Sequence, residues 1–424
     1  MQLAGATKLW MKRLAENDNS KNQVYLGPNL IALNVLPNGP LSSSPDKPAL
    51  LTSSLDFSWL LADGRTVSAP GAQLILYPQY PEVRFSGFLR GCAHPPSDLM
   101  RVREAGRFLF FGITQAGKIL GLVTSPSSVL GKEMEALALH PSEGVFSSIS
   151  LDETKDDRTV LVSALKRIVE KEWIGSKRLH KDGTLLLCNA PHCGGYTLEA
   201  ELGISANGYS EPDFHGWEIK QHAVPRLSNP SGGGPITLMT PEPTGGVYAV
   251  DGVHEFMKLY GYDAKTEQGR RNFGGIHTAL KLCSSTGLHL KLDGYDRQKS
   301  SITDFSRGIT LFDEKGDAAA IWHYKDLLSH WNRKHALAAY VPSNVRDFPE
   351  RQYRYGNVVR LGEGTEFKYF LNAVANGAVY YDPAVKIVTI GDGKPAVKKR
   401  NQFRIKSSAI PQLYSKMTEV DVTS

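Results

Sequence analysis

The sequence predicts a mixed α/β domain, with a central sheet flanked by helices, that follows a mostly β domain. Two observations predict this order. Short apolar runs bordered by Pro, Gly and Ser fill residues 1–150, whereas helical and strand patterns alternate from residue 158 to residue 424. The length of 424 residues also suits two or three domains, since a typical domain has ~100–200 residues.

The first domain is predicted from four apolar runs with turn formers between them, at 74–77, 82–89, 107–113 and 119–123. This rhythm is typical of a small β barrel or pseudobarrel. Near 140–157 the chain becomes rich in serine and then acidic, as expected of an exposed linker, which we place at 151–157.

The second domain begins with an amphipathic helix, because apolar residues recur at helical spacing from Val160 to Val169. The patterns that follow predict helices at 197–203, 253–260 and 324–335 and strands at 185–188, 217–221, 236–240, 309–312, 337–341 and 385–390. No internal repeat is apparent.

The bulk composition narrows the class of protein. Lys and Arg exceed Asp and Glu by 49 to 43, a net charge of +6, which permits a polyanionic partner without requiring one. No apolar run approaches the ~20 residues that span a membrane, and the start of the chain has no leader-like segment. We therefore expect a cytoplasmic protein with no membrane partner.

The four cysteines are Cys92, Cys188, Cys193 and Cys283. Cys188 and Cys193 with His192 between them suggest zinc, but a second ligand pair at finger-like spacing is missing. We expect reduced thiols instead.

The segment from Glu199 to Lys220 carries the pattern most informative about chemistry. In Trp217-Glu218-Ile219-Lys220, a strand would place Glu218 and Lys220 on one face and the two apolar residues on the other. Asp213, behind Pro212, can turn towards Glu218. Two carboxylates and a lysine can hold Mg²⁺, orient water and offset charge in phosphodiester hydrolysis. An acid-x-Lys pair alone is usually a solvated surface pair; the full set, with Glu199 on the preceding helix, favours a nuclease.

These residues match the PD-(D/E)xK nuclease motif, at Pro212, Asp213, Glu218 and Lys220. Leu198-Glu199 and Gly216 to Lys220 resemble MutH-like nucleases. The stretches 212–222 and 236–240, with Phe403-Arg404-Ile405, resemble the MvaI/BcnI restriction endonucleases more closely, over about residues 155–424.

The resemblance implies a bacterial, monomeric, Mg²⁺-dependent type II restriction endonuclease that cleaves double-stranded DNA at a short CCNGG-type site, with a cognate DNA methyltransferase. Asp213 and Glu218 would bind the metal, Lys220 would assist the attacking water, and Glu199 would be an accessory acid. The chain departs from the pattern in two places. Thr240-Pro241-Glu242 stands where a lysine is common, and Lys398, Lys399 and Arg400 replace expected histidines, so the bases it reads stay open.

Basic residues near the C-terminus are the first candidates for DNA contact. Residues 391–406 contain six Lys or Arg against one acid, and from these we select Arg404, Lys398, Lys399 and Arg400. Arg404 is the candidate for a bidentate contact to guanine.

Two segments of the first domain resemble the DNA-gripping arms of the EcoRII effector pseudobarrel: 12–25 and 82–90. The resemblance implies a second DNA-binding (effector) domain. Its candidate contacts are Arg13, Asn17, Asp18, Asn19, Lys21, Gln23, Arg84, Ser86 and Arg90. An Asn-Asp-Asn-Ser run is also an ordinary turn. Two alternatives to the restriction enzyme stay open: a MutH-like strand-nicking repair endonuclease and a non-catalytic DNA-binding regulator.

Overall fold

The structure is a computed structural model. It describes the chain except residues 17–21, 45–46, 78–81, 138, 150, 152–156, 191, 206–212, 266 and 390–394. The contacts within the chain divide it into two compact units, Met1–Asp156 and Asp157–Ser424. Among the described residues, no helix is both long enough and apolar enough to cross a membrane.

The first unit is mostly β structure. Its strands are β1 (Ala6–Arg13), β2 (Gln23–Tyr25), β3 (Ser42–Ser44), β4 (Lys47–Ser54), β5 (Phe57–Leu60), β6 (Thr66–Ser68), β7 (Gln73–Tyr77), β8 (Glu82–Ser86), β9 (Phe108–Thr114), β10 (Ile119–Thr124) and β11 (Ser147–Ile149). Its helices are α1 (Ala32–Val35), α2 (Ser97–Met100) and α3 (Val129–Ala136), with a 3-10 turn at Gln2–Ala4.

These strands form two sheets, in the orders β11-β1-β9-β10-β5-β6 and β2-β8-β7-β4-β3. Aromatic side chains join the sheets, since the Phe85 ring of β8 lies 5.1 Å from that of Phe57 in β5 and 5.6 Å from that of Phe111 in β9. All three rings are fully buried, so alternate positions of each strand build one core, as the period of two requires.

The second unit mixes helices and strands. Its helices are α4 (Asp157–Val169), α5 (Cys193–Glu201), α6 (Val247–Val250), α7 (Val253–Tyr260), α8 (Tyr324–His335) and α9 (Phe367–Ala375), with a 3-10 helix at Ser407–Leu413. Its strands are β12 (Trp173–Gly175), β13 (Lys177–Leu179), β14 (Leu185–Leu187), β15 (Glu218–Ala223), β16 (Pro235–Met239), β17 (Tyr262–Asp263), β18 (Arg271–Gly274), β19 (His289–Leu292), β20 (Tyr295–Asp296), β21 (Ser301–Ile302), β22 (Gly308–Phe312), β23 (Ala318–His323), β24 (Leu337–Arg346), β25 (Gln352–Tyr355), β26 (Val358–Glu363), β27 (Val379–Tyr381), β28 (Ala384–Thr389), β29 (Pro395–Lys398), β30 (Phe403–Lys406) and β31 (Lys416–Asp421).

A mixed sheet in the order β12-β25-β24-β26-β31 organises this unit, and β15 pairs in parallel with β24. The register places Ile219 beside Ala339 and Lys220 beside Tyr340. Further small sheets are β16-β30-β27, β17-β18-β28-β29 and β19-β22-β23. The mixed α/β fold predicted from the sequence is confirmed, although the strands are spread over several sheets rather than one.

One face of the central sheet is covered by α4. Leu161, Leu165 and Ile168 of this helix pack in one buried cluster with Ile219 and Ala339 of the sheet. Because neighbouring strand residues point to opposite faces, Glu218 and Lys220 are directed to the other side. The sequence pattern of β15 therefore determines which face carries the polar groups.

Two expectations from the sequence are wrong. Cys188 and Cys193 form a disulfide rather than reduced thiols, because the short loop between β14 and α5 brings their Cα atoms to 5.8 Å. The serine-rich stretch near residue 147 is not linker, because Ser147–Ile149 pairs with β1. Of the proposed linker 151–157, residues 152–156 lie outside the described residues, and Asp157 begins α4.

Candidate active site

A two-residue turn brings Asp213 back to the start of β15. Phe214 and Trp217 exchange backbone hydrogen bonds of 3.0 and 2.9 Å across His215 and Gly216. Both central residues have positive φ, 47° and 81°, as in a type I′ turn, and glycine at the second position adopts it without strain. The reversal lets Oδ2 of Asp213 accept a hydrogen bond from the backbone N–H of Ile219 at 2.9 Å.

Glu218 and Lys220 form a close ion pair on the polar face of β15. Lys220 Nζ lies 2.5 Å from Oε1 of Glu218, with side-chain exposures of 18% and 3%. Trp217 precedes Glu218, and Ile219 lies between Glu218 and Lys220. Both apolar side chains are buried in the core on the other face of the sheet. The pair is thus held at a semi-enclosed surface of the sheet, where charges interact more strongly than in bulk water.

Helix α5 lies against β15 and carries Glu199. Gly194 permits a close approach: a Cβ there would stand 2.9 Å from the side chain of Gln221 and 3.0 Å from the ring of Tyr353. The Tyr355 hydroxyl donates to the carbonyl of Gly194 at 2.8 Å. Leu198 of α5 packs in the same buried cluster as Ile219 of β15, so the helix is held against the strand.

Three carboxylates, those of Glu218, Asp213 and Glu199, interact electrostatically with Lys220. Burial acts to lower the pKa of Lys220, but Glu218, then Asp213 and Glu199, act to raise it, and the net shift is upward. Lys220 is therefore an ammonium group at neutral pH. Pro212 lies outside the described residues.

The sequence interpretation missed His335, the last residue of α8. It is fully buried, stacks on Trp331 at 4.2 Å and lies 3.1 Å from the carbonyl oxygen of Leu238 through Nε2. Burial, together with the positive charge of Lys220, lowers the pKa of His335 to about 3, although Glu218 acts to raise it. His335 is thus an uncharged, buried side chain next to Lys220 and Glu218. The sequence indicated only that it belongs to the apolar face of α8.

The donor set of the site suits a hard divalent cation. Asp213 and Glu218 offer carboxylate oxygens, and two neighbouring carboxylates repel each other unless a cation lies between them. Among the described residues, no group of three or more His, Cys, Asp or Glu is arranged to hold a metal ion. Two protein carboxylates suit Mg²⁺, because this ion usually retains several waters and binds phosphate oxygens.

The C-terminal basic candidates fall into two situations. Arg404 is 23% exposed and held by Asp382 at 2.6 Å and by the carbonyl of Pro235 at 3.0 Å. Lys398, Lys399 and Arg400 are exposed, and Lys399 lies 3.3 Å from Glu242. Lys399 stands where the resemblance led us to expect a histidine, and Glu242 lies in the segment where a lysine is common. The contact therefore joins the two places where the chain departs from that resemblance.

In the first unit, three candidates lie side by side. Gln23 pairs with Ser86 across β2 and β8, and Arg84 donates to Gln23 at 3.1 Å while pairing with Glu82 at 2.7 Å. Arg13 forms a separate exposed ion pair with Glu135 at 2.8 Å. Arg90 follows β8 in a turn closed by its N–H and the Gly87 carbonyl. Asn17, Asp18, Asn19 and Lys21 lie outside the described residues.

Comparisons with known proteins match part of the chain. The model of the MvaI/BcnI restriction endonuclease family matches residues 162–414. A solved structure of the MvaI restriction endonuclease in complex with its cognate DNA substrate is 19% identical, covers 63% of this chain and 99% of that one, and has a TM-score of 0.46. The structure of MvaI without DNA is 16% identical, covers 64% and 100%, and has a TM-score of 0.35. No curated protein matches the chain.

Proposed function

Because this chain belongs to the MvaI/BcnI restriction endonuclease family and is a type II site-specific DNA endonuclease, we propose that it hydrolyses double-stranded DNA with Mg²⁺ bound by Asp213 and Glu218. The observation that carries the assignment is the geometry at β15, where Lys220 pairs with Glu218 at 2.5 Å and Asp213 accepts a hydrogen bond from the N–H of Ile219 at 2.9 Å. Enzymes of this family generally use divalent metal ions.

A bound Mg²⁺ would polarise the scissile phosphate and lower the pKa of a bound water. Lys220, held as an ammonium by Glu218, cannot accept a proton from that water. It donates hydrogen bonds instead, and it stabilises the negative charge that develops on the phosphate oxygens. Asp213 keeps its orientation through the N–H of Ile219. Glu199 is the accessory acid, which orients the nucleophilic water from the side of α5.

The rest of the assignment concerns recognition. We propose that the enzyme acts as a monomer on a short CCNGG-type site, beside a cognate DNA methyltransferase. Arg404, with Lys398, Lys399 and Arg400, would contact the DNA. The first unit would be a second DNA-binding domain of the effector type, with Arg13, Gln23, Arg84, Ser86 and Arg90 among its contacts. The support is the local clustering of Gln23, Arg84 and Ser86.

Digestion of supercoiled plasmid tests the catalytic proposal. We expect linear DNA with Mg²⁺, uncut DNA with a chelator, and uncut DNA with the Asp213→Ala or Lys220→Ala variants, which should still bind DNA. Glu314→Ala, an exposed acid remote in sequence from the site, is the control and should cut normally. Undiminished cutting by either site variant would refute the assignment. Nicked circles alone at every enzyme concentration would favour the repair-type alternative, and sequencing the fragment ends would test the CCNGG-type site.

A further inference from the structure

The loop between β15 and β16 lies beside the active site. It spans residues 224–234 and contains the stretch Pro-Ser-Gly-Gly-Gly at 230–234. Nε2 of His222 in β15 donates to the carbonyl of Pro230 at 2.8 Å. His222 is two residues beyond Lys220 on the same strand, so both side chains lie on one face of the sheet, about 7 Å apart along the strand. Pro230 therefore lies over the face of the sheet that carries Lys220.

The end of this loop turns back against β15. A Cβ at Gly233 would lie 2.8 Å from the carbonyl oxygen of Ala223 and 2.8 Å from Cδ2 of His222, so only glycine allows this approach. A Cβ at Gly234 would meet nothing within 4 Å. The loop is thus held against the strand at Gly233 and open to solvent at Gly234.

The loop presents backbone donors that have no acceptor. Among the described residues, the N–H groups of Ser231, Gly233 and Gly234 form no hydrogen bond, whereas the N–H of Gly232 donates to the carbonyl of Asn229 at 3.1 Å. All four residues from 231 to 234 are exposed or half-exposed. Successive backbone N–H groups in a glycine-rich turn form a concavity that suits an anion.

The charge of the loop is positive. No Asp or Glu occurs from Gln221 to Pro241. Arg226 is exposed, and it forms no ion pair within the part of the chain that the structure describes. An arginine without a carboxylate partner next to free N–H groups favours a negatively charged ligand.

A buried guanidinium lies beneath the loop. Arg360 of β26 is 2% exposed, and its Nη1 lies 3.4 Å from Oγ of Ser231. Its remaining hydrogen bonds go to the carbonyl and the hydroxyl of Ser407, at 2.9 and 2.8 Å, and its Nε has no partner among the described residues. All these partners are uncharged. Because a buried charge is costly unless an opposite charge offsets it, Arg360 is a second, independent indication of an anion at this loop.

We propose that the loop 226–234 binds a phosphate of the DNA strand that is cut, close to the cleaved bond. The proposal rests on the proposed nuclease function. The N–H groups of Ser231, Gly233 and Gly234 donate to the phosphate oxygens, and Arg226 adds a direct ionic contact. Since the loop and Lys220 share one face of the sheet, one DNA strand reaches both. Such a contact reads no base, but it fixes the register of the strand at the active site.

The backbone contact is tested by removal of one N–H group. Gly234→Pro deletes the donor, whereas Gly234→Ala keeps it and is the matched control. Fluorescence anisotropy in metal-free buffer measures DNA affinity without cleavage, and thermal melting verifies that both variants are folded. Gly234→Pro should bind about tenfold more weakly, because it loses a hydrogen bond to a charged group. Gly234→Ala should bind like the wild type.

DNA with a neutral linkage tests the same contact from the side of the ligand. A methylphosphonate, which replaces one charged phosphate oxygen by a methyl group, would be placed in turn at each phosphate around the mapped cleavage position. The wild type should lose about tenfold in affinity at one position within about three phosphates of the cleaved bond. Gly234→Pro should lose much less at that position, since the two changes remove one interaction and are not additive.

The arginine contact is tested by salt dependence. Arg226→Ala should reduce the slope of log affinity against log salt concentration by about 1. Arg167→Ala is the matched control and should keep the wild-type slope. Arg167 is also exposed and forms no ion pair among the described residues, but it belongs to α4, which covers the opposite face of the sheet.

The outcomes distinguish this site from the nuclease assignment. A methylphosphonate effect that Gly234→Pro abolishes, with a smaller slope for Arg226→Ala, supports the phosphate site. Additive losses, or wild-type affinity and slope in both loop variants with normal plasmid cleavage, overturn the site and leave the nuclease assignment intact. A wild-type protein that neither binds nor cuts DNA would refute the nuclease function itself.

Discussion

Two adjacent glycines of α5 give a paired test of how the helix positions Glu199. A Cβ at Gly194 would lie 2.9 Å from Cδ and Oε1 of Gln221 and 3.0 Å from the ring of buried Tyr353, whereas a Cβ at Gly195 meets nothing within 4 Å. Overpacking costs about 1–3 kcal/mol, and replacement of a helical glycine by alanine returns about 0.5–1 kcal/mol. We therefore expect Gly194→Ala to destabilise the unit by about 1–2 kcal/mol and Gly195→Ala to stabilise it slightly.

The activity of the two variants should diverge further than their stability. A helix displaced from β15 by a few tenths of an ångström also displaces Glu199 from Asp213 and Glu218, and misplacement of about 1 Å can cost on the order of 100-fold in rate. The single-turnover cleavage rate of Gly194→Ala should fall about tenfold, and that of Gly195→Ala should stay at the wild-type value. Thermal melting and cleavage of plasmid measure both quantities. Equal rates for the two variants would refute the role of this contact.

Three further predictions concern stability, recognition and domain organisation. Burial lowers the pKa of His222 to about 4 and that of His335 to about 3, so both stay neutral when folded while the unfolded chain takes up protons below about pH 6.5. The folded state should lose about 2 kcal/mol per histidine between pH 7 and pH 5; urea denaturation at the two pH values measures this, and His335→Phe should remove about half of the loss. Arg404→Ala should weaken DNA binding about tenfold or more if it contacts a base, measured by anisotropy, and unchanged affinity would exclude that contact. The fragment 157–424, one compact unit, should fold and cut DNA with lower rate or selectivity; an unfolded fragment in circular dichroism would make the first unit a structural requirement.

The local elements of the site were predictable because their patterns are short-range. The period of 3.6 in 160–169 predicted α4, and the alternation in 217–220 predicted which face of β15 is polar. Both patterns depend only on neighbouring residues, and the structure has both. The resemblance to the MvaI/BcnI family predicted to which family the second domain belongs, and the match of the family model over residues 162–414 confirms it.

The contacts that close the site were not predictable, because they join distant parts of the chain. His335 reaches the carbonyl of Leu238 across 97 residues, and Gln221 donates to Ser343 across 122. Nothing in a local pattern specifies that β15 pairs with β24. The prediction that Cys188 and Cys193 are reduced thiols failed for a related reason. A separation of five residues in the sequence does not reveal whether the loop brings the two Cα atoms within the range of a disulfide.

Under the proposed Mg²⁺-dependent mechanism, the charges of the four central groups give the lysine and the metal different roles. Asp213, Glu218 and Glu199 formally contribute −3 and Lys220 contributes +1, which leaves −2, the charge that one Mg²⁺ neutralises. Lys220 forms an ion pair with Glu218. A cation bound at that carboxylate would compete with this ion pair and release the ammonium towards an incoming phosphate. The metal and the lysine would then have different roles, because a metal bound at Glu218 would free the Lys220 ammonium to contact the phosphate.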